Sequence, residues 1–207
     1  MSLASRERAA LSDEVLRVGP DHPTLCAGWT TRDLLAHLLV RERQPLAAPG
    51  ILIKAFAGVT ERAMDEYRSM RWEDAVAMFR GGPHSWSPMR FERVDAAANG
   101  VEFFVHHEDV RRGEPGWEPR PADPERDNEL WAGARRIGML LRRSPVGVVL
   151  ERPTGERQVV KTGAGVVTVV GEPGEILLFA FGRDAVRVEV QGEPDDVAAF
   201  RAAPRGV

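Results

Sequence analysis

A chain of 207 residues is long enough for one large or two small domains. Its 43% hydrophobic content is that of an ordinary folded protein, which sets aside both disorder and a disulfide scaffold. A net charge of -3 and a pI near 6.0 argue against a global basic field of the kind that holds nucleic acid. The single cysteine, Cys26, allows no internal disulfide and suits a reducing compartment. The N-terminus carries charges where an export signal needs an apolar run, and no stretch approaches the roughly 20 apolar residues of a membrane span. The expectation is a cytoplasmic protein with no nucleic-acid or membrane partner, either a monomer or a homodimer. Lysine occurs only at Lys54 and Lys161, a bias toward arginine that suits a GC-rich bacterial genome.

Apolar residues recur at helical spacing up to about residue 145. A first helix is expected over 5–18, with Ser5 as its N-cap and Gly19-Pro20 as its stop. Thr30 and Asp33 have capping-box spacing, and Trp29 and Leu34 sit where a hydrophobic staple places them, so a helix starts at 31 and runs to about 43. Further helices are expected over 51–70 and 72–80. Another contains Val101 to Arg112, with Arg111 and Arg112 as its cationic last turn. Past a Pro/Gly-rich loop at 113–122, Asp123-Pro124 opens a helix reaching about Arg143. Beyond 145 the pattern changes to β-branched runs between glycine turns. Strands are expected at 146–152, 157–162, 165–170 and 185–191, and helices at 173–181 and 194–202. The expected division is therefore a helical bundle over 1–144 and a small α+β domain over 145–207.

Glu102 and His106 lie four residues apart on one helix, which puts both side chains on one face about 5–6 Å apart. One ion can be held by both, because zinc takes imidazole nitrogen and carboxylate oxygen at roughly 2.0–2.2 Å. Asp109 follows on the same face, placed to accept from the free ring nitrogen of His106 or to serve as an extra ligand. His37 sits in the apolar run Leu34 to Val40, where a polar ring needs a partner. Asp33, one turn earlier, is one candidate partner, and a metal ion is the other. A satisfied core histidine and a solvated Glu/His pair are the ordinary alternatives at such spacings. His107 points about 100° from His106 around the helix, so it is a neighbour of the site rather than a ligand. His22 and His84, beside prolines in loops, suit surface roles. Cys26 offers a soft ligand or a reactive thiol, with a small buried residue as the default reading.

The run Cys26-Ala-Gly-Trp-Thr-Thr-Arg-Asp-Leu-Leu-Ala-His37 resembles the GWT-x-RDL-x-x-H signature of the mycothiol-dependent maleylpyruvate isomerase family. Val101-Glu102-Phe-Phe-Val-His106-His107-Glu-Asp-Val is similar to that family's later helix, which supplies a Glu and a His four apart. Gly171 to Arg183 and Val186 to Gly192 are similar to its small C-terminal domain. The resemblance is closest to an actinobacterial group of uncharacterised metal-binding proteins, of which the wording from Glu102 to Arg112 is typical. It implies a DinB-like up-down four-helix bundle followed by a sterol-carrier-like α+β domain that closes over it. It makes His37, Glu102 and His106 one divalent-metal site, zinc or another ion, with Asp33, Asp109 and His107 around it. It implies mycothiol as thiol cosubstrate, and an isomerase or thiol S-transferase acting on a small electrophilic, acidic substrate. In the isomerase, a thiolate adds to the double bond of a cis-dienoic acid, the single bond rotates, and elimination gives the trans isomer. Arg183 becomes the candidate cation for the substrate's acid group, against the plainer role of capping the helix 173–181. The competing class is a non-catalytic metal-binding or ligand-sensing protein.

Overall fold

The computed structural model describes residues 1–44, 57–83 and 92–206. Two compact units emerge, Met1–Trp117 and Glu118–Val207.

The first unit is helical: α1 Leu3–Val18, α2 Thr31–Arg43, α3 Ala57–Arg68, α4 Trp72–Arg80 and α5 Glu92–Arg111. The first helix begins earlier than expected, because Ser2 and not Ser5 supplies the cap. At the start of α2, Asp33 Oδ2 accepts from the Thr30 amide at 2.9 Å and from its hydroxyl at 2.8 Å. That reciprocal arrangement removes an orphan backbone donor and fixes where the helix starts. The expected helix over 51–70 is described from Ala57; 51–56 and His84 lie outside the described residues.

Helix α1 lies along α5, α4 packs on α1 and α2, and α3 packs on α2. Leu34, Leu35, Leu38 and Leu39 of α2 point into one core with Leu11, Val15, Val76, Phe79 and Phe103. Each such side chain contributes roughly 1.5–3 kcal/mol on burial. The charges buried in this unit are paired, as burial requires. Arg8 donates to Glu42 at 2.7 Å and lies over the Phe103 ring. Arg112, expected in the cationic last turn of its helix, is buried, donates to Glu108 at 2.7 Å and stacks on Trp117.

The loop between α1 and α2 is drawn tightly under the end of α5. Leu25 donates its backbone N–H to the Asp109 carbonyl at 3.0 Å. A Cβ on Gly113 would come 1.9 Å from the Pro23 carbonyl oxygen, so only glycine permits this approach.

The second unit holds α6 Pro124–Ala132, α7 Ala134–Leu140, β1 Gly147–Glu151, β2 Arg157–Lys161, β3 Val166–Gly171, α8 Pro173–Ala180, β4 Val188–Gln191 and α9 Pro194–Ala202. The sheet order is β2-β1-β3-β4, with β1 and β3 parallel and the outer pairs antiparallel. Its two central strands carry the runs of consecutive buried residues, as strands covered on both faces do. The link from β2 to β3 passes under the start of β1, where a Cβ on Gly163 would sit 2.6 Å from the Gly147 nitrogen. The single helix expected over 124–143 breaks at Gly133 into α6 and α7. Both pack on α8, and α7 also packs on β2, so the units divide at the Pro/Gly-rich loop and not at 144/145. The sequence boundary followed the change of periodicity, whereas these helices cover the sheet domain's own core. The architecture is thus mixed: helices followed by a small four-stranded α+β unit.

Replacing Gly113 by Ala should destabilise the protein by about 1–3 kcal/mol, the usual cost of forcing atoms into a packed contact. Denaturant unfolding checks this, and an unchanged midpoint would contradict the tight approach of the loop.

Candidate metal centre

Helix α2 turns His37 inward from its leucine-rich face, and α5 turns Glu102 and His106 toward it. His37 is buried, and among the described residues its Nε2 has no hydrogen-bond partner. Glu102 Oε1 lies 3.6 Å away, too far for a hydrogen bond. The same oxygen lies 3.2 Å from His106 Nε2. The two imidazole rings meet edge to face at 5.3 Å, and Trp29 lies against His37 at 5.2 Å.

These residues fit a divalent ion. Donors about 2.1 Å from a tetrahedral ion are separated by about 3.4 Å. The distances of 3.2 and 3.6 Å from Glu102 Oε1 bracket that value, and all three donor atoms lie within 4.8 Å of one another. Two imidazole nitrogens with one carboxylate oxygen suit zinc and its transition-metal neighbours better than calcium or magnesium. An ion here would also give the buried His37 nitrogen a partner.

Asp109, fully buried, accepts from His106 Nδ1 at 3.0 Å. That contact places a proton on Nδ1, so Nε2, 3.2 Å from Glu102 Oε1, is the ring nitrogen left for an ion. Cys26 Sγ donates to the same Asp109 oxygen at 3.2 Å. Cys26, His106 and Asp109 could themselves surround an ion. Their groups already satisfy one another, however, so the unpartnered His37 nitrogen favours the first set. Cys26 therefore supports Asp109 from outside the donor set.

Electrostatics follow from burial and from these neighbours. Burial pushes the His37 imidazole below its ordinary range. Burial would raise the Glu102 carboxyl, but the His106 and His37 rings and Arg41 hold it far below the usual carboxylate range. Burial also opposes charge on His106, yet Asp109, Cys26 and Glu102 together hold it well above the ordinary imidazole value.

Other expected residues lie elsewhere. The Asp33 carboxylate serves the α2 cap and accepts from Arg68 Nε at 2.8 Å, so it is not the partner of His37. His107 faces α1 and bonds Glu7 at 2.9 Å. His22 is part-buried, its Nδ1 3.8 Å from Glu114. Arg183, in the second unit, donates to the Phe181 carbonyl at 3.0 Å, the helix-capping arrangement. One residue escaped the sequence reading. Arg41 places a guanidinium nitrogen 2.6 Å from Glu102 Oε1. The available signal was its position four residues after His37, on the same helical face.

Glu102→Ala and His106→Ala should each abolish stoichiometric metal binding, and Asp109→Asn should weaken it about 10- to 100-fold. Elemental analysis with a competing chelator checks all three; metal content equal to wild type in the two alanine variants would contradict the site.

No family model and no curated protein matches the chain. Two solved structures do. The crystal structure of the mycothiol-dependent maleylpyruvate isomerase aligns over 92% of this chain and 91% of that chain, with a TM-score of 0.62 and 21% identity. A histidine-to-alanine mutant of the same isomerase aligns over the same shares, with a TM-score of 0.62 and 20% identity. The chain is thus similar in fold, across nearly its whole length, to the isomerase whose family its motifs resemble.

Proposed function

We propose that the chain is a divalent-metal-dependent enzyme that uses a low-molecular-weight thiol, mycothiol, either to isomerise a small electrophile or, as an S-transferase, to join the thiol's sulfur to it. The observation that carries this reading is the His37–Glu102–His106 donor set, with its unpartnered imidazole nitrogen, in a chain of this fold. Three protein ligands leave at least one coordination position open, as in catalytic and not structural zinc sites. Bound there, a divalent ion supplies the charge that holds a thiol as its nucleophilic thiolate.

The chain's own residues set the conditions for that chemistry. Asp109 holds His106 in the tautomer that presents Nε2. Glu102 offsets part of the ion's charge. Trp29 covers one side of His37 and keeps water from it. Zinc is the ion we favour from the donor set. Arg183 has its proposed role toward an acidic substrate only from its place in the resembling motif, since its guanidinium caps α8.

The test is turnover by metal-loaded protein given mycothiol and a panel of electrophiles, including cis-dienoic acids. We expect metal-dependent consumption or isomerisation of one electrophile. His37→Ala should abolish it while the melting temperature stays within a few degrees of wild type. Metal uptake with no turnover across the panel would favour a binding or sensing protein, and turnover unaffected by chelation would contradict the metal's role.

A further inference from the structure

Among the described residues, the candidate centre is flanked on two sides. Trp29 lies against His37. Asp109, with no exposed surface, and Cys26 stand behind His106. The side chains of His37 and His106 are only 7% and 10% exposed. Glu102 and Arg41 are more open to solvent, at 25% and 23%. A small molecule approaching the centre therefore meets Arg41 as it meets Glu102.

We propose that Arg41 is a specificity-determining residue, which pairs with a carboxylate on the electrophilic substrate and holds it beside the metal-bound thiol. This rests on the thiol chemistry proposed above. A thiol is anchored to the ion through its sulfur. The electrophile has no such bond and needs an anchor of its own within a few ångströms of that sulfur. Arg41 is the cation placed there: it is one turn beyond His37 on α2, and its NH1 reaches the Glu102 oxygen that faces both histidines.

The guanidinium is a planar fork of five N–H donors, built to take a carboxylate through two parallel bonds. In the metal-free protein its charge is matched by Glu102. A divalent ion held by Glu102 would share that carboxylate's charge, and the five-donor fork of Arg41 can then take a second anion. Arg183 donates to the Phe181 carbonyl at its own helix end. The proposal thus shifts acid recognition from the second unit to the residue beside the ion.

The probe is 3-mercaptopropionate, which carries thiol and carboxylate in one molecule, compared with 3-mercaptopropanol, which lacks the acid. Each is titrated into cobalt-loaded wild type, Arg41→Met and Arg41→Lys, and binding is read from the thiolate-to-cobalt absorption. Wild type should prefer the acid by about tenfold or more, the size of a charge-assisted pair. Arg41→Met should lose that preference while still binding 3-mercaptopropanol, and Arg41→Lys should keep part of it. Equal preference in wild type and Arg41→Met would overturn the proposal. So would loss of cobalt from Arg41→Met, which would make Arg41 a prop for Glu102. Absence of a thiolate band with either probe on wild type would instead sink the thiol reading itself.

Discussion

A buried imidazole nitrogen without a hydrogen bond costs about 1–3 kcal/mol, and among the described residues His37 Nε2 is such a nitrogen. It sits in the leucine-rich helix that also supplies the core of the first unit, so the ring cannot turn to water without disturbing that core. The rest of the site is arranged around this constraint. The Thr30–Asp33 cap fixes where α2 starts and so which way His37 points. Helix α5 brings Glu102 and His106 to it on successive turns. Asp109 sets the tautomer of His106, and Gly113 lets the 20–30 loop come close enough to bring Cys26 and Trp29 against the centre.

Much of this was legible in the sequence because it is local. Capping spacing, the i,i+4 pair and the i+3 aspartate all depend on helix geometry over a few residues, and the strands follow β-branched runs between glycines. The placement of His37 next to Glu102 was not local. Spacing alone left a core histidine as the plainer reading, and only the order of the motifs suggested one site. Contacts across long stretches of chain were not legible. Cys26 reaches Asp109 across 83 positions, and it does so only because a glycine at 113 tolerates the loop above it. Arg41 escaped notice because charged residues at the end of a helix usually face solvent. Asp33 was claimed by its cap, which shows how one short polar side chain can satisfy two local patterns and serve only one.

The domain division has a similar explanation. Periodicity reports which element a segment forms, not which core that element covers. Helices α6 and α7 have helical spacing, yet they bury their apolar faces on α8 and β2. The Pro/Gly-rich loop before them was the better boundary signal, because few contacts cross such a segment.

The central claim is that His37, Glu102 and His106 hold one ion. Anomalous diffraction from crystals of the zinc-loaded protein, recorded at the metal's absorption edge, tests it most directly. The account predicts a single strong peak about 2.0–2.2 Å from His37 Nε2, His106 Nε2 and a Glu102 oxygen, with Asp109 still bonded to His106 Nδ1. A peak bound instead by Cys26, Asp109 and His106 Nδ1, or no peak between α2 and α5, would contradict it.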